Sequence, residues 1–173
     1  TLEAAREYIS IENNFEKFVP DNFNEAIAYV DGSYSKELLK YSVGCVIQYN
    51  NKKIELSGSD NNPKYIEMNN VAGEILGSIS AIKWAIDNGV ESINIFHDYE
   101  GISKWANGDW TANKLGTKEY QEFIKHSRGK LKIKFSKVAA HTGVELNEAA
   151  DQLAKKGLSS ATMVNIRKTK LSA

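Results

Sequence analysis

A chain of 173 residues, 42% hydrophobic and 25% charged, has the size and make-up of one compact domain with a short extension, which excludes wholesale disorder and fibrous repeats. One cysteine, Cys45, rules out an internal disulfide framework, three scattered histidines (His97, His126, His141) do not make a structural zinc site, and no uncharged apolar run approaches the ~20 residues that span a bilayer. Net charge is zero, yet residues 1–25 hold six acids against two bases while residues 113–137 hold eight Lys or Arg against Glu119 and Glu122, a segment readable as a polyanion footprint or as a solvated face.

In chain order, Leu2, Ala5 and Ile9 predict a short helix at the amino end, and Asn13-Asn14 and Pro20-Asp21-Asn22 mark a linker. Ala26–Val30 predicts a buried strand ending in a turn at Asp31-Gly32-Ser33. Tyr41–Tyr49 and Lys53–Ser57, parted by Asn50-Asn51, predict a β-hairpin. Asn69 or Asn70 caps a helix whose Ile75, Ile79, Ile82 and Ile86 share a face and which closes at Asn88-Gly89. Ser92–Phe96 reads as a strand delivering His97 and Asp98, followed by a short helix at Gly101–Ala106 and a helix capped by Thr117. Leu131, Ile133 and Phe135 alternate with Lys132, Lys134 and Ser136, a half-buried strand with a basic outer face. Asn147 caps a last helix that buries Ala150, Leu153 and Ala154 and stops at Gly157. This order, βββαβαβα, implies an α/β domain with a mixed five-stranded sheet: strands joined by a hairpin run antiparallel and strands joined through helices run parallel.

Four acids occupy unusual places in that order. Asp31 and Asp98 end apolar strands, while Glu74 and Asp151 lie in the early turns of helices. Each has an ordinary structural account, since Asp-Gly suits a turn and acids favour helix N-termini. Converging carboxylates would need a neutralising cation, and an oxygen-only donor set favours Mg2+ or Mn2+ over Zn2+. No glycine-rich phosphate loop of either standard pattern is present, which disfavours a nucleotide-dependent metabolite enzyme.

Asp31-Gly32-Ser33 after a strand, Glu74 in a helix, Asp98 after a strand, and His141-Thr142-Gly143 leading to Asn147-Glu148-Ala149-Ala150-Asp151 together resemble a type 1 ribonuclease H, from about Ala26 to Leu158. The resemblance implies a ribonuclease H-like sheet with helices on both faces and an endonuclease that cuts the RNA strand of RNA–DNA hybrids. In that family Asp31, Glu74, Asp98 and Asp151 would hold two divalent ions, Mg2+ with Mn2+ as a substitute. One ion generates the attacking hydroxide, the other stabilises the leaving 3′ oxygen, and the products carry 5′-phosphate and 3′-hydroxyl ends. His141 would move protons or help release product.

For substrate contacts the resemblance implies Gly32, Ser33, Asn69, Asn70, Glu100, Trp110 and Thr117. Asn69 and Asn70 match paired asparagines that enter the minor groove, with one residue more than the common spacing before Glu74, and Thr117 matches a DNA-phosphate contact. Tyr99-Glu100 replaces the more usual small polar residue and Gln, and the stretch from Asp98 to Trp110 is too short for the family's basic handle helix. The domain organisation expected is residues 1–25 as a helix and linker left from an upstream hybrid-binding domain, 26–158 as the catalytic domain, and 159–173 as a basic tail. A cytoplasmic monomer is the expected context.

Overall fold

The computed structural model describes residues 24–138 and 145–159. Three antiparallel strands come first: β1 (Glu25–Ser35), β2 (Lys40–Tyr49) and β3 (Lys52–Asp60). A one-turn helix α1 (Pro63–Ile66) leads into the long helix α2 (Asn70–Asp87), then β4 (Ser92–His97), α3 (Gly101–Ala106), α4 (Leu115–Ser127), β5 (Lys132–Lys137) and α5 (Glu145–Ser159). The sheet runs β3-β2-β1-β4-β5, with β4 parallel to β1 and β5 parallel to β4, so the mixed five-stranded architecture expected from element order is the one formed.

Alternation along β1 sends Ala26, Ala28 and Val30 to one face and Ile27 and Tyr29 to the other. The first face meets Ile75, Ile79 and Ile82 of α2 and Tyr120 and Ile124 of α4 in the main core. The second joins Val46, Phe96, Leu146 and Ala150 in a smaller core under α5. Helices therefore cover both faces, as parallel pairing in the middle of the sheet requires. None of the described helices is long and apolar enough to cross a membrane.

Several boundaries differ from the sequence reading. β1 does not turn at Asp31-Gly32; it pairs with β2 through Ser35↔Lys40, and the chain reverses at residues 36–39. Asn50 and Asn51 do form the β2–β3 turn, with φ of 49° and 64°, the paired positive values that a two-residue hairpin loop needs. β3 runs on to Asp60 because its polar end still pairs with Tyr41, Ser42 and Val43. Asn69 occupies the cap position of α2 without a side-chain cap bond. Thr117 is the third residue of α4 rather than its cap: its Oγ1 accepts from the Lys114 N–H at 3.1 Å and donates to the Lys114 carbonyl at 3.0 Å. Asn147 is buried inside α5, which begins by Glu145 and continues past Gly157 to Ser159.

Candidate active site

β1 pairs with β4 only from Glu25↔Ser92 to Tyr29↔Phe96, yet continues beside β2 for six more residues. Where the two parallel strands part, Asp31 on β1 and Asp98 just past β4 face one crevice, the position at which sites form in such sheets. α2 crosses the same end. Its Gly73 lies against Gly32: a Cβ on Gly32 would stand 2.1 Å from the Asn70 carbonyl oxygen, and one on Gly73 would stand 1.9 Å from that of Ser42. The absence of both side chains lets the helix lie on the strand and brings the next residue, Glu74, down to Asp31. So the glycine after Asp31 serves close packing, not a turn.

Ligand oxygens of Asp31, Glu74 and Asp98 all lie within 4.8 Å of one another. Asp151 joins them from the opposite face. α5 lies closely over Gly44, the β2 partner of Asp31, is tied to the sheet by hydrogen bonds from the hydroxyls of Ser42 and Ser57 to the carbonyls of Ala154 and Leu153, and carries Asp151 near enough to Asp31 for the two carboxylates to interact. Burial pushes the Asp31 carboxyl up to about 7; the Gly32 N–H, bonded to Oδ1 at 2.8 Å, opposes the shift, and repulsion from Asp98 and Asp151 adds to it. Glu74 is completely buried and is raised well above the usual carboxylate range by burial, then by Asp98 and Asp31. Its Oε1 accepts the Tyr99 N–H at 3.4 Å, whereas its Oε2 has no hydrogen-bond partner among the described residues. Lys155, on the exposed side of α5, pairs with Asp151 at 2.9 Å.

An oxygen-only set of mutually repelling carboxylates, one with a buried orphan oxygen, fits a hard divalent cation. Of the remaining sequence candidates, Gly32 and Ser33 lie on β1 beside Asp31, and Asn69 and Asn70 are exposed at the corner leading into α2. Glu100 is exposed at the start of α3. Trp110 packs on Tyr99 and Trp105 with ring centroids 6.2 and 5.6 Å away. Thr117 is buried and lines a cleft of about 340 Å³ whose walls include Glu67, Met68, Val71, Tyr99 and Trp105. His141 lies outside the described residues.

Two features escape the sequence reading. Lys155 sits four residues after Asp151, the spacing of a helical ion pair, so that contact was legible in principle. The role of Tyr99, whose N–H meets Glu74 and whose ring lines the cleft, depends on the turn after β4 and leaves no sequence signal.

The sequence model of the RNase H family matches residues 24–159. A protein of Rhizobium johnstonii named Ribonuclease H is 30% identical over 141 residues, 75% of this chain and 89% of that protein. Among solved structures, RNase H1 from the halophilic archaeon Halobacterium salinarum aligns with a TM-score of 0.64 at 22% identity, over 78% of this chain and 97% of its own. LC11-RNase H1, solved in complex with an RNA/DNA hybrid, aligns with a TM-score of 0.61 at 18% identity, over 78% and 99%. With the fold and a family match across most of the chain in agreement, this protein belongs to the ribonuclease H family.

Proposed function

We propose that the chain is an endonuclease that hydrolyses the RNA strand of RNA–DNA hybrids by two-metal-ion catalysis at Asp31, Glu74, Asp98 and Asp151. The observation that carries this reading is the cluster itself: three carboxylates within 4.8 Å, with Asp31 and Glu74 both raised, have no use beside a polyanion unless cations sit between acid and phosphate. A binding module that used only the basic face would gain nothing from them. Two Mg2+ ions, or Mn2+ in their place, would supply an activated water and neutralise the charge on phosphorus and the leaving 3′ oxygen, giving 5′-phosphate and 3′-hydroxyl ends.

The chain's own residues orient the substrate around that centre. The exposed amides of Asn69 and Asn70, next to Glu74, are suited to the minor groove, and Glu74 is placed to sense a ribose 2′-hydroxyl, the group that separates RNA from DNA. Gly32 and Ser33 line the strand beside Asp31, Glu100 adds a carboxylate at the rim, and Thr117 and Trp110 border the path of the DNA strand. His141, shortly before α5, shuttles protons or releases product. On this reading residues 1–25 are a helix and linker left from an upstream hybrid-binding domain, 26–158 are the catalytic domain, 159–173 are a basic tail, and the protein works as a cytoplasmic monomer.

The test is incubation with an RNA–DNA hybrid, duplex RNA, duplex DNA and a DNA junction, each with Mg2+, with Mn2+ and with chelator, beside Asp98→Asn. Metal-dependent cutting of the hybrid's RNA strand alone, lost in the variant, is expected. Cutting of the junction, or hybrid binding without any cutting, would overturn the proposal.

A further inference from the structure

His97 is the last residue of β4 and is fully buried, although no chemistry described above uses it. Its ring packs edge-on against Phe135, with centroids 6.0 Å apart. A position so enclosed and so close to an aromatic ring would suit an apolar side chain, which would leave no polar atom to satisfy. Instead, the His97 Nδ1 lies 2.9 Å from the Tyr99 carbonyl oxygen, and its Nε2 is buried with no hydrogen-bond partner among the described residues. A carbonyl oxygen can only accept, so Nδ1 carries the proton. The unsatisfied Nε2 costs stability, and the bond made by Nδ1 is what the histidine gains.

That bond lies at a junction. The Tyr99 carbonyl also accepts the Ile102 N–H at 3.1 Å, the bond that starts α3. At the other end of the same residue, the Tyr99 N–H points at Glu74 Oε1, and the side chain between these two peptide groups packs at a tilt against Trp105 and edge-on against Trp110. Asp98 is therefore bracketed by His97 before it and by Tyr99 after it, and the imidazole closes that bracket. We infer that His97 is a positioning residue: by donating from Nδ1 to the Tyr99 carbonyl it holds the turn after β4, and so sets Asp98 and the Tyr99 N–H against Glu74.

This inference deepens the proposed hybrid-cutting activity and rests on it, so the experiment separates the two. His97→Asn keeps a donor at the same number of bonds from Cβ as Nδ1, whereas His97→Leu keeps bulk without a donor. The expected result is that Leu lowers kcat on the hybrid roughly 10- to 100-fold, the loss that a small misplacement of reacting groups produces. KM and melting temperature should change little, and Asn should recover most of the rate. In 15N-labelled unmodified protein, NMR should show a protonated Nδ1 and a bare Nε2. Wild-type kcat in the Leu variant, equal losses in Leu and Asn, or a proton on Nε2 would each overturn the inference. If the unmodified protein fails to cut the hybrid at all, it is the proposed activity that fails, and the NMR signature still decides the role of His97 in the turn.

Discussion

Asp31 and Glu74 show what it costs to hold carboxylates in one crevice. Both titrate above the ordinary carboxylate value, so between about pH 4 and about 7 the folded chain binds more protons than the unfolded chain, and stability falls as pH rises through that window. Metal-free protein should therefore melt at a higher temperature near about pH 5.5 than near about pH 8, and saturating Mg2+ should narrow the gap; thermal melts with chelator and with Mg2+ at the two values check this. For the same reason Asp31→Asn should stabilise the metal-free fold by ~1 kcal/mol or more while lowering cleavage at least ~100-fold, measured by denaturant titration beside hybrid turnover. At the proposed metal site Lys155 would compete with cations for Asp151, to which it is paired at 2.9 Å. Lys155→Ala should tighten apparent Mg2+ binding roughly two- to five-fold in calorimetric titration, with little change in melting temperature.

Among the elements, α2 was the most legible, because its isoleucines repeat at helical spacing and Asn88 and Gly89 end it, the latter with φ of 69°. β1 was misread at its carboxyl end, since Asp-Gly is a common turn pair and only the packing of α2 reveals that Gly32 stays in the strand. That contact predicts the behaviour of Gly73→Ala. The added methyl meets the Ser42 backbone, which cannot rotate away, so the variant should lose ~1–3 kcal/mol in denaturant titration and also lose activity as Glu74 is displaced. At the other end of the cleft, α1 is held to α4 by Tyr65 and Lys64, which both bond the carboxylate of Glu119, Lys64 at 2.7 Å. The α1–α2 corner that carries Asn69 and Asn70 is thereby tied to the rest of the fold.

For the molecule as a whole, a neutral total hides a separation of charge on which the proposed hybrid binding would depend. Lys114, Lys118, Lys125, Lys130, Lys132, Lys134 and Lys137 are all exposed, although Lys134 is paired with the buried Glu25 at 2.9 Å. Arg128 in the same segment serves the fold instead, bonding the Ala106 and Ile133 carbonyls and Asn107 Oδ1. The basic stretch is thus part scaffold, and its lysines other than Lys134 would serve the proposed hybrid binding as a footprint. Hybrid affinity should fall steeply with salt, and replacing Lys118 by Ala should make the log–log salt slope shallower by about 1 if that lysine meets a phosphate, whereas Lys134→Ala should change it less. Filter binding at graded salt concentrations measures both slopes.

Element order, the helix positions of Glu74 and Asp151, the place of Asp98 just after a strand, and the hairpin at Asn50-Asn51 were determined by the sequence alone, because hydrophobic period and turn chemistry act over a few neighbouring residues. Whether Asp31, Glu74, Asp98 and Asp151 meet could not be decided that way: they are spread over 120 residues of chain, and spacing along a chain says nothing of distance across a sheet. Their convergence came from the order β3-β2-β1-β4-β5, from the parting of β1 and β4, and from helices that approach both faces closely. The raised Asp31 and Glu74 follow from that convergence, since burial and mutual repulsion exist only once the tertiary structure has brought the four together.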